Sequence, residues 1–202
     1  MFGMESNRFF GRKILVTAGA TPFGHAIALG LARRGADVLA VDTDSSRLSD
    51  LTWDSAGIIQ TRTGNAAVPD EAPALAGWIR SDHANLAGLI ACPDAAGNPA
   101  SRHLVQRLTR LMRSNPDPFV GFVLPDETTA LAALAEVPLH EDRWFTVTRL
   151  ILPRGMDNCD HPALAEQALQ GIDARTALVR LAARSASRRR NALHRMLVRA
   201  SA

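Results

Sequence analysis

Short apolar runs alternate with amphipathic stretches through most of the chain, and the elements follow from that alternation. Ile14, Leu15 and Val16 form the first run, short and uninterrupted, as expected of a strand buried on both faces. Phe23, Ile27 and Leu31 then recur every fourth residue, the spacing of one helical face. Thr21 can cap that helix, and Pro22 suits its first position, where a missing N–H costs nothing. Arg33 and Arg34 suit its last turn, and Gly35 suits the cap beyond it. A second apolar run over residues 38–41 stops at Asp42. Further strands are expected over 57–62, 86–91, 119–124 and 144–152. Helices are expected over 43–55, 102–113, 127–136 and 161–169, with another opened by Pro69, Asp70 and Glu71. Strands and helices in this order predict an α/β fold with a doubly wound parallel sheet. No β-rich run follows the last of these helices. Residues 173–202 read as a basic helical extension, so the expected organisation is a truncated α/β domain over 1–172 and an Arg-rich helical segment over 173–202.

The turn between the first strand and the first helix carries the candidate chemistry. Residues 16–28 read VTAGATPFGHAIA, which resembles the TGxxxGxG turn of the short-chain dehydrogenase/reductase family. Thr17 matches the threonine and Gly24 the last glycine, while Ala18 and Pro22 stand at the first two glycines. Shifted by one residue, Gly19 takes the first glycine, and GATPF resembles the GATGF of the family's extended and atypical branches. In either register Pro22 removes a backbone donor that would face phosphate. The resemblance implies a Rossmann-like sheet and a dinucleotide held at Thr17, Gly19 and Gly24. Asp42 stands where an acid hydrogen-bonds the adenosine ribose, and the lack of an adjacent arginine favours NAD over NADP. Asn65, just past the third strand, stands near the family's adenine-holding acid, although turns also favour asparagine. Pro153 in LPRGMDN matches the proline of the family's PGxxxT segment, with an arginine at the glycine and Asn158 at the threonine. The likeness runs over about residues 12–160.

What the chain lacks changes this picture most. The family reduces carbonyls with a tyrosine as acid and base, a lysine that lowers its pKa, and a serine that polarises the carbonyl. This chain has no tyrosine, its only lysine is Lys13 at the start of the first strand, and the serine position falls near Pro125 or Asp126. The family's tyrosine mechanism is therefore excluded by inventory, and no catalytic residue is assigned. No metal site is assigned either. The Cys159-Asp160-His161 spacing matches no tetrahedral zinc pattern, and the His140-Glu141-Asp142 group has no better claim. His25 could look towards a nucleotide but reads as a packed or solvent-facing side chain. The expected cofactor is none, or weakly held NAD.

The 202 residues, 47% of them hydrophobic, suffice for one domain with a sizeable core. No window nears twenty apolar residues, no signal peptide is expected at the start, and two isolated cysteines suit a reducing compartment, so the expected location is cytoplasmic. The net charge of +3 conceals eight arginines and no acid in residues 174–202, which leaves −5 on the rest. Such a run reads as a solvated helical face, or as a dock for an acidic partner or for the chain's own acidic body. Nucleic acid is disfavoured, since no aromatics interleave for base stacking. In the helix over 102–113, Leu104, Leu108, Leu111 and Met112 share one face and arginines much of the other. The family pairs through this helix and the next, so a homo- or hetero-oligomer is expected, with Leu108 as the side chain at which a charge would break it. The reading is an inactive short-chain-dehydrogenase-like subunit working beside an active oxidoreductase relative. The alternative is an NAD-binding oxidoreductase or NAD-responsive regulator with other site residues.

Overall fold

The computed structural model describes residues 7–83, 85–124, 145–153 and 159–182. The first half of the chain runs β1 (Lys13–Thr17), α1 (Pro22–Arg33), β2 (Asp37–Asp42), α2 (Ser45–Asp54) and β3 (Gln60–Thr63). A 3-10 turn at Pro69–Glu71 leads into α3 (Ala72–Asp82) and β4 (Leu86–Ala91). Then come α4 (Arg102–Leu111), a 3-10 turn at Met112–Ser114, β5 (Phe119–Leu124), β6 (Thr146–Ile151), α5 (His161–Asp173) and β7 (Leu178–Arg180). The seven strands form one parallel sheet in the order β3-β2-β1-β4-β5-β6-β7. This is the Rossmann-like α/β architecture that the alternation predicts.

Burial explains which runs became which strands. Every residue of β4 and β5 is buried, as central parallel strands require, whereas β3 is polar, largely exposed and lies at the sheet edge. Alternate residues of β1 and β2 serve opposite faces. Ile14, Val16, Val38 and Ala40 join the core built with α1, α2 and α5, while Leu15, Leu39 and Val41 join the one built with α3 and α4. Thr21 caps α1 by accepting from the Gly24 N–H, Pro22 is the first helical residue, and Gly35 takes a φ of +77° past its end. Among the described residues no helix is long and apolar enough to cross a membrane.

Two expectations are corrected. Residues 178–180 are not helical: Leu178, Val179 and Arg180 pair in parallel with Arg149, Leu150 and Ile151 of β6. The edge of β6 offers unpaired backbone groups, and Gly171 on α5 makes room for the approach, since a Cβ there would lie 2.3 Å from Val179 Cγ2. The sheet thus continues past residue 172, and residues 183–202 lie outside the described residues, as does the helix expected over 127–136. The second correction concerns α4. Leu104, Leu108 and Met112 are fully buried in the core with Leu75 and Ile79 of α3, and only Leu111 of that face is partly exposed. This face covers the sheet, as one face of the helix must, so Leu108 is not an interface side chain at which a charge would release a partner.

Candidate functional site

The strand order reverses between β1 and β4, which places the candidate crevice at the carboxyl ends of these strands. Lys13 is at the opposite end, with its Nζ 3.4 Å from Asp37 Oδ2. Thr17, Gly19, Gly24 and Asp42 all gather around the β1–α1 turn, and the turn is closed by its own hydrogen bonds. Thr17 is buried and donates its hydroxyl to the Cys92 carbonyl at 2.9 Å, so it ties β1 to β4. Ala18 takes a φ of +52°, the conformation that favours glycine. Ala18 therefore stands at a bend that glycine would favour, at the first-glycine position in one of the two registers the resemblance allows.

Most of the turn N–H groups are bonded within the turn or to the end of β2. The Gly19 N–H donates to the Val41 carbonyl at 3.1 Å and the Thr21 N–H to the Ala18 carbonyl at 3.1 Å. The Ala20 N–H donates to Asp42 Oδ2 at 3.0 Å, and the Gly24 N–H to Thr21 Oγ1 at 3.2 Å. Pro22 has none to give. Between residues 19 and 24 only the Phe23 N–H lacks a partner among the described residues. The Ala18 N–H at the bend has none either, so the turn leaves two donors where a pyrophosphate needs several at a helix start.

Asp42 is engaged in the same way. Besides the Ala20 N–H, it accepts from the N–H groups of Thr43 at 2.6 Å and Asp44 at 3.2 Å, and Asp44 in turn caps α2. The carboxylate fastens the end of β2 to both neighbouring helix starts. Asp42→Ala is expected to cost about 2 kcal/mol, because the buried Ala20 N–H loses its acceptor. The expected fall in Tm is about 4–8 °C. A carboxylate reserved for ribose would leave the Tm of the ligand-free protein unchanged, and calorimetric melting separates the two outcomes.

Asn65 forms a local turn: its Oδ1 accepts from the Ala67 N–H at 2.9 Å, and its own N–H donates to Glu71 Oε2 at 2.7 Å. Pro153 follows β6, three strands from β1, and residues 154–158 beside it lie outside the described residues.

The segment after β4 lines the crevice. Asp94 gathers it: its carboxylate accepts from the N–H groups of Ala96 and Asn98 and from the Asn98 side-chain amide. Its carbonyl accepts from the Gly97 N–H, with Gly97 at φ +85°. The Ser101 N–H donates to the Ala66 carbonyl at 2.7 Å and holds the segment against the residues that follow β3. Between Ala18, Asp42, Asn65, Cys92, Asp94 and Asn98 there remains a cavity of about 20 Å³. It is open to solvent and adjoins a larger cleft through Asn65, Ala67, Asp94, Asn98 and Ala100. Composition alone missed this loop, although Asp-x-x-Gly-Asn is turn chemistry that could have signalled it. That cleft, of about 570 Å³, lies to one side, between Asn65, Pro69, Arg102, His103, Phe122 and Leu124. Of the sequence-derived site residues, only Asn65 borders it.

Cys92, His25 and Asp160 are occupied or inert. Burial pushes the Cys92 thiol up to about 12, which leaves no thiolate at neutral pH. His25 Nε2 lies 3.0 Å from Asp54 Oδ2 and joins α1 to α2 on the outer surface. Asp160 caps α5 by accepting from the Ala163 N–H. Among the described residues no group of three His, Cys, Asp or Glu side chains could hold a metal ion. The His140-Glu141-Asp142 group, Asp157 and the positions at 125 and 126 fall outside the described residues.

The fold is that of short-chain dehydrogenases/reductases. The chain is similar to a metagenomic short-chain oxidoreductase solved in complex with NADP, with a TM-score of 0.65, 15% identity, and 86% of this chain and 99% of that one covered. It is also similar to the bulky-bulky ketone specific alcohol dehydrogenase from Comamonas testosteroni, with a TM-score of 0.61, 15% identity and 94% of each chain covered. No family model matches the sequence, and no curated protein does. At this identity the likeness is one of fold. Around the β1–α1 turn only the Ala18 and Phe23 N–H groups lack partners among the described residues, fewer donors than the resemblance implies for a pyrophosphate.

Proposed function

We propose that this chain is a catalytically inactive, short-chain-dehydrogenase-like subunit that acts by engaging a protein partner, with an active oxidoreductase relative as the favoured one. The observation that carries this reading is the largely self-satisfied turn, in which most backbone donors are bonded to Val41, Asp42, Ala18 and Thr21 rather than offered to phosphate. The lack of any tyrosine supports it from the sequence side. Thr17, Gly19, Gly24 and Asp42 then keep their places because they build the turn, and Asn65 and Pro153 because they shape neighbouring loops.

A second reading, an NAD-binding oxidoreductase or NAD-responsive regulator, is favoured by Asp42 at the end of β2 and by the likeness to a structure solved with NADP. Titration calorimetry with NAD and NADP, followed by assays on a panel of carbonyls and alcohols, separates the two. The expected result is no saturable binding at ligand concentrations up to about 1 mM, which corresponds to a binding free energy weaker than about −4 kcal/mol. No turnover is expected. A micromolar dissociation constant, or turnover abolished by a single substitution in this chain, would establish the second reading. Co-purification from the native host with mass spectrometry is expected to recover a protein companion.

A further inference from the structure

With its apolar face on the sheet, α4 presents arginine to solvent, and α3 runs alongside it. Between the two helices lies a groove of about 180 Å³, floored by Pro73, Ala76 and Gly77 and walled by Arg80, Arg107 and Arg110. All three arginines are exposed, and among the described residues none of their guanidinium groups has a hydrogen-bond or ion-pair partner. Five other arginines are paired: Arg8, Arg12 and Arg175 share Asp117, Arg34 holds Glu166, and Arg47 holds Asp44. Arg107 and Arg110 stand three apart on one helix, where like charges repel. The groove therefore gathers positive charge that no described residue pairs with. Its floor is low, and a Cβ placed on Gly77 would meet nothing within 4 Å, so another backbone can approach closely.

We infer that this α3–α4 groove docks a short acidic segment of a partner protein, whose carboxylates pair with Arg80, Arg107 and Arg110. Guanidinium forks bind carboxylates through two parallel hydrogen bonds, and three forks around a small-residue floor suit an extended segment with spaced Asp or Glu. A long polyanion fits less well. The chain carries −5 outside residues 174–202, and no aromatic side chain lines the groove to stack a base. The chain's own Arg-rich C-terminus has the wrong sign to fill it. The inference rests on the partnering reading and adds the chemistry of the partner.

The test is fluorescence anisotropy on the full chain with two labelled probes, a dodecapeptide of alternating glutamate and alanine and a dodecamer of thymidine. The peptide is expected to bind, with affinity falling at least about tenfold as salt is raised from 0.05 to 0.3 M. Arg80→Glu, Arg107→Glu and Arg110→Glu combined should weaken it by about thirtyfold or more, since three charge-assisted pairs become repulsive. Arg107→Gln with Arg110→Gln, which adds no repulsion, should weaken it less but measurably. Reversal of Arg188, Arg189 and Arg190 together should leave binding within about threefold, the scale of exposed, screened charges. Circular dichroism confirms that each variant is folded. No peptide binding, loss through the 188–190 reversal instead of the groove variants, or equally tight binding of the oligonucleotide would each overturn the inference. NAD titration of the same samples keeps the two ideas apart. NAD binding together with groove-dependent peptide binding would defeat the inactive-subunit reading and leave the groove standing, whereas loss of the groove alone leaves that reading in place.

Discussion

Leu108→Arg is expected to unfold the protein rather than to release a partner. Leu108 is 0% exposed and sits in the core with Leu104, Val105 and Met112 of the α4 segment and Leu89 and Val120 of the sheet. An arginine there would bury a guanidinium among aliphatic side chains with no carboxylate to meet it. The cost exceeds about 5 kcal/mol, comparable with the whole stability of a typical domain. Far-UV circular dichroism is expected to show loss of cooperative melting, and Leu108→Ala should give a folded but weakened protein, down by about 2–5 kcal/mol. Had Leu108 faced an interface, the arginine variant would be a folded monomer. A well-folded Leu108→Arg chain with an unchanged Tm would mean that α4 is rotated about its axis relative to this structure. Exposed Arg107 is the matched control, and its replacement by glutamate should change stability by no more than about 0.5 kcal/mol.

The same helix shows what the pattern of apolar positions could and could not decide. Periodicity identified the Leu104-Leu108-Met112 face correctly, but a face that packs on a sheet and a face that packs on a partner have the same periodicity. Only the placement of α3 and the sheet distinguishes them. Strands β4 and β5 were legible to the residue, because an unbroken apolar run between turn residues has few other uses in an α/β chain. The start of α1 was legible for a local reason, since Thr21, Pro22 and Gly24 form a cap whose partners lie within one turn. β7 was not legible. Its three residues lie in a stretch of helix-forming composition, and they became a strand because β6 had an open edge and Gly171 left space beside Val179. Long-range pairing of this kind leaves almost no trace in local propensity.

The candidate site was half legible. The order of elements located the turn, Asp42 and the crevice. The direction of the turn's donors was hidden, because it depends on the backbone angle at Ala18 and on a carboxylate 22 residues away from the Ala20 N–H it accepts. A glycine-poor turn can point its N–H groups outward or inward, and the residue names are the same in both cases. The loop from Cys92 to Ser101 was equally hidden. Its shape depends on Asp94 and Asn98, whose hydrogen bonds close the loop on itself beside Ala18 and Asp42.

Gly24→Ala is expected to be the most damaging conservative change in the turn, with a loss of about 3 kcal/mol and a fall in Tm of about 6–12 °C. A Cβ on Gly24 would lie 2.1 Å from the Ala18 carbonyl oxygen, 2.9 Å from the Ala18 carbonyl carbon and 3.0 Å from Thr21 Oγ1. The first two are backbone atoms and cannot swing aside. The carbonyl is also fixed, because it accepts from both the Thr21 N–H and the Thr21 hydroxyl. Relief requires the turn to lift from α1, which breaks the Thr21 cap and pulls the Ala20 N–H from Asp42. A glycine kept only so that phosphate could approach would behave differently: the alanine variant would melt like the parent and differ only in nucleotide affinity. Calorimetric melting of the ligand-free protein decides between these outcomes. A fall in Tm would assign Gly24 to the packing of α1 against its own turn, which is the function expected of it in a chain most of whose turn donors are already bonded. An unchanged Tm with weakened NAD binding would return it to the nucleotide and revive the second reading of this protein.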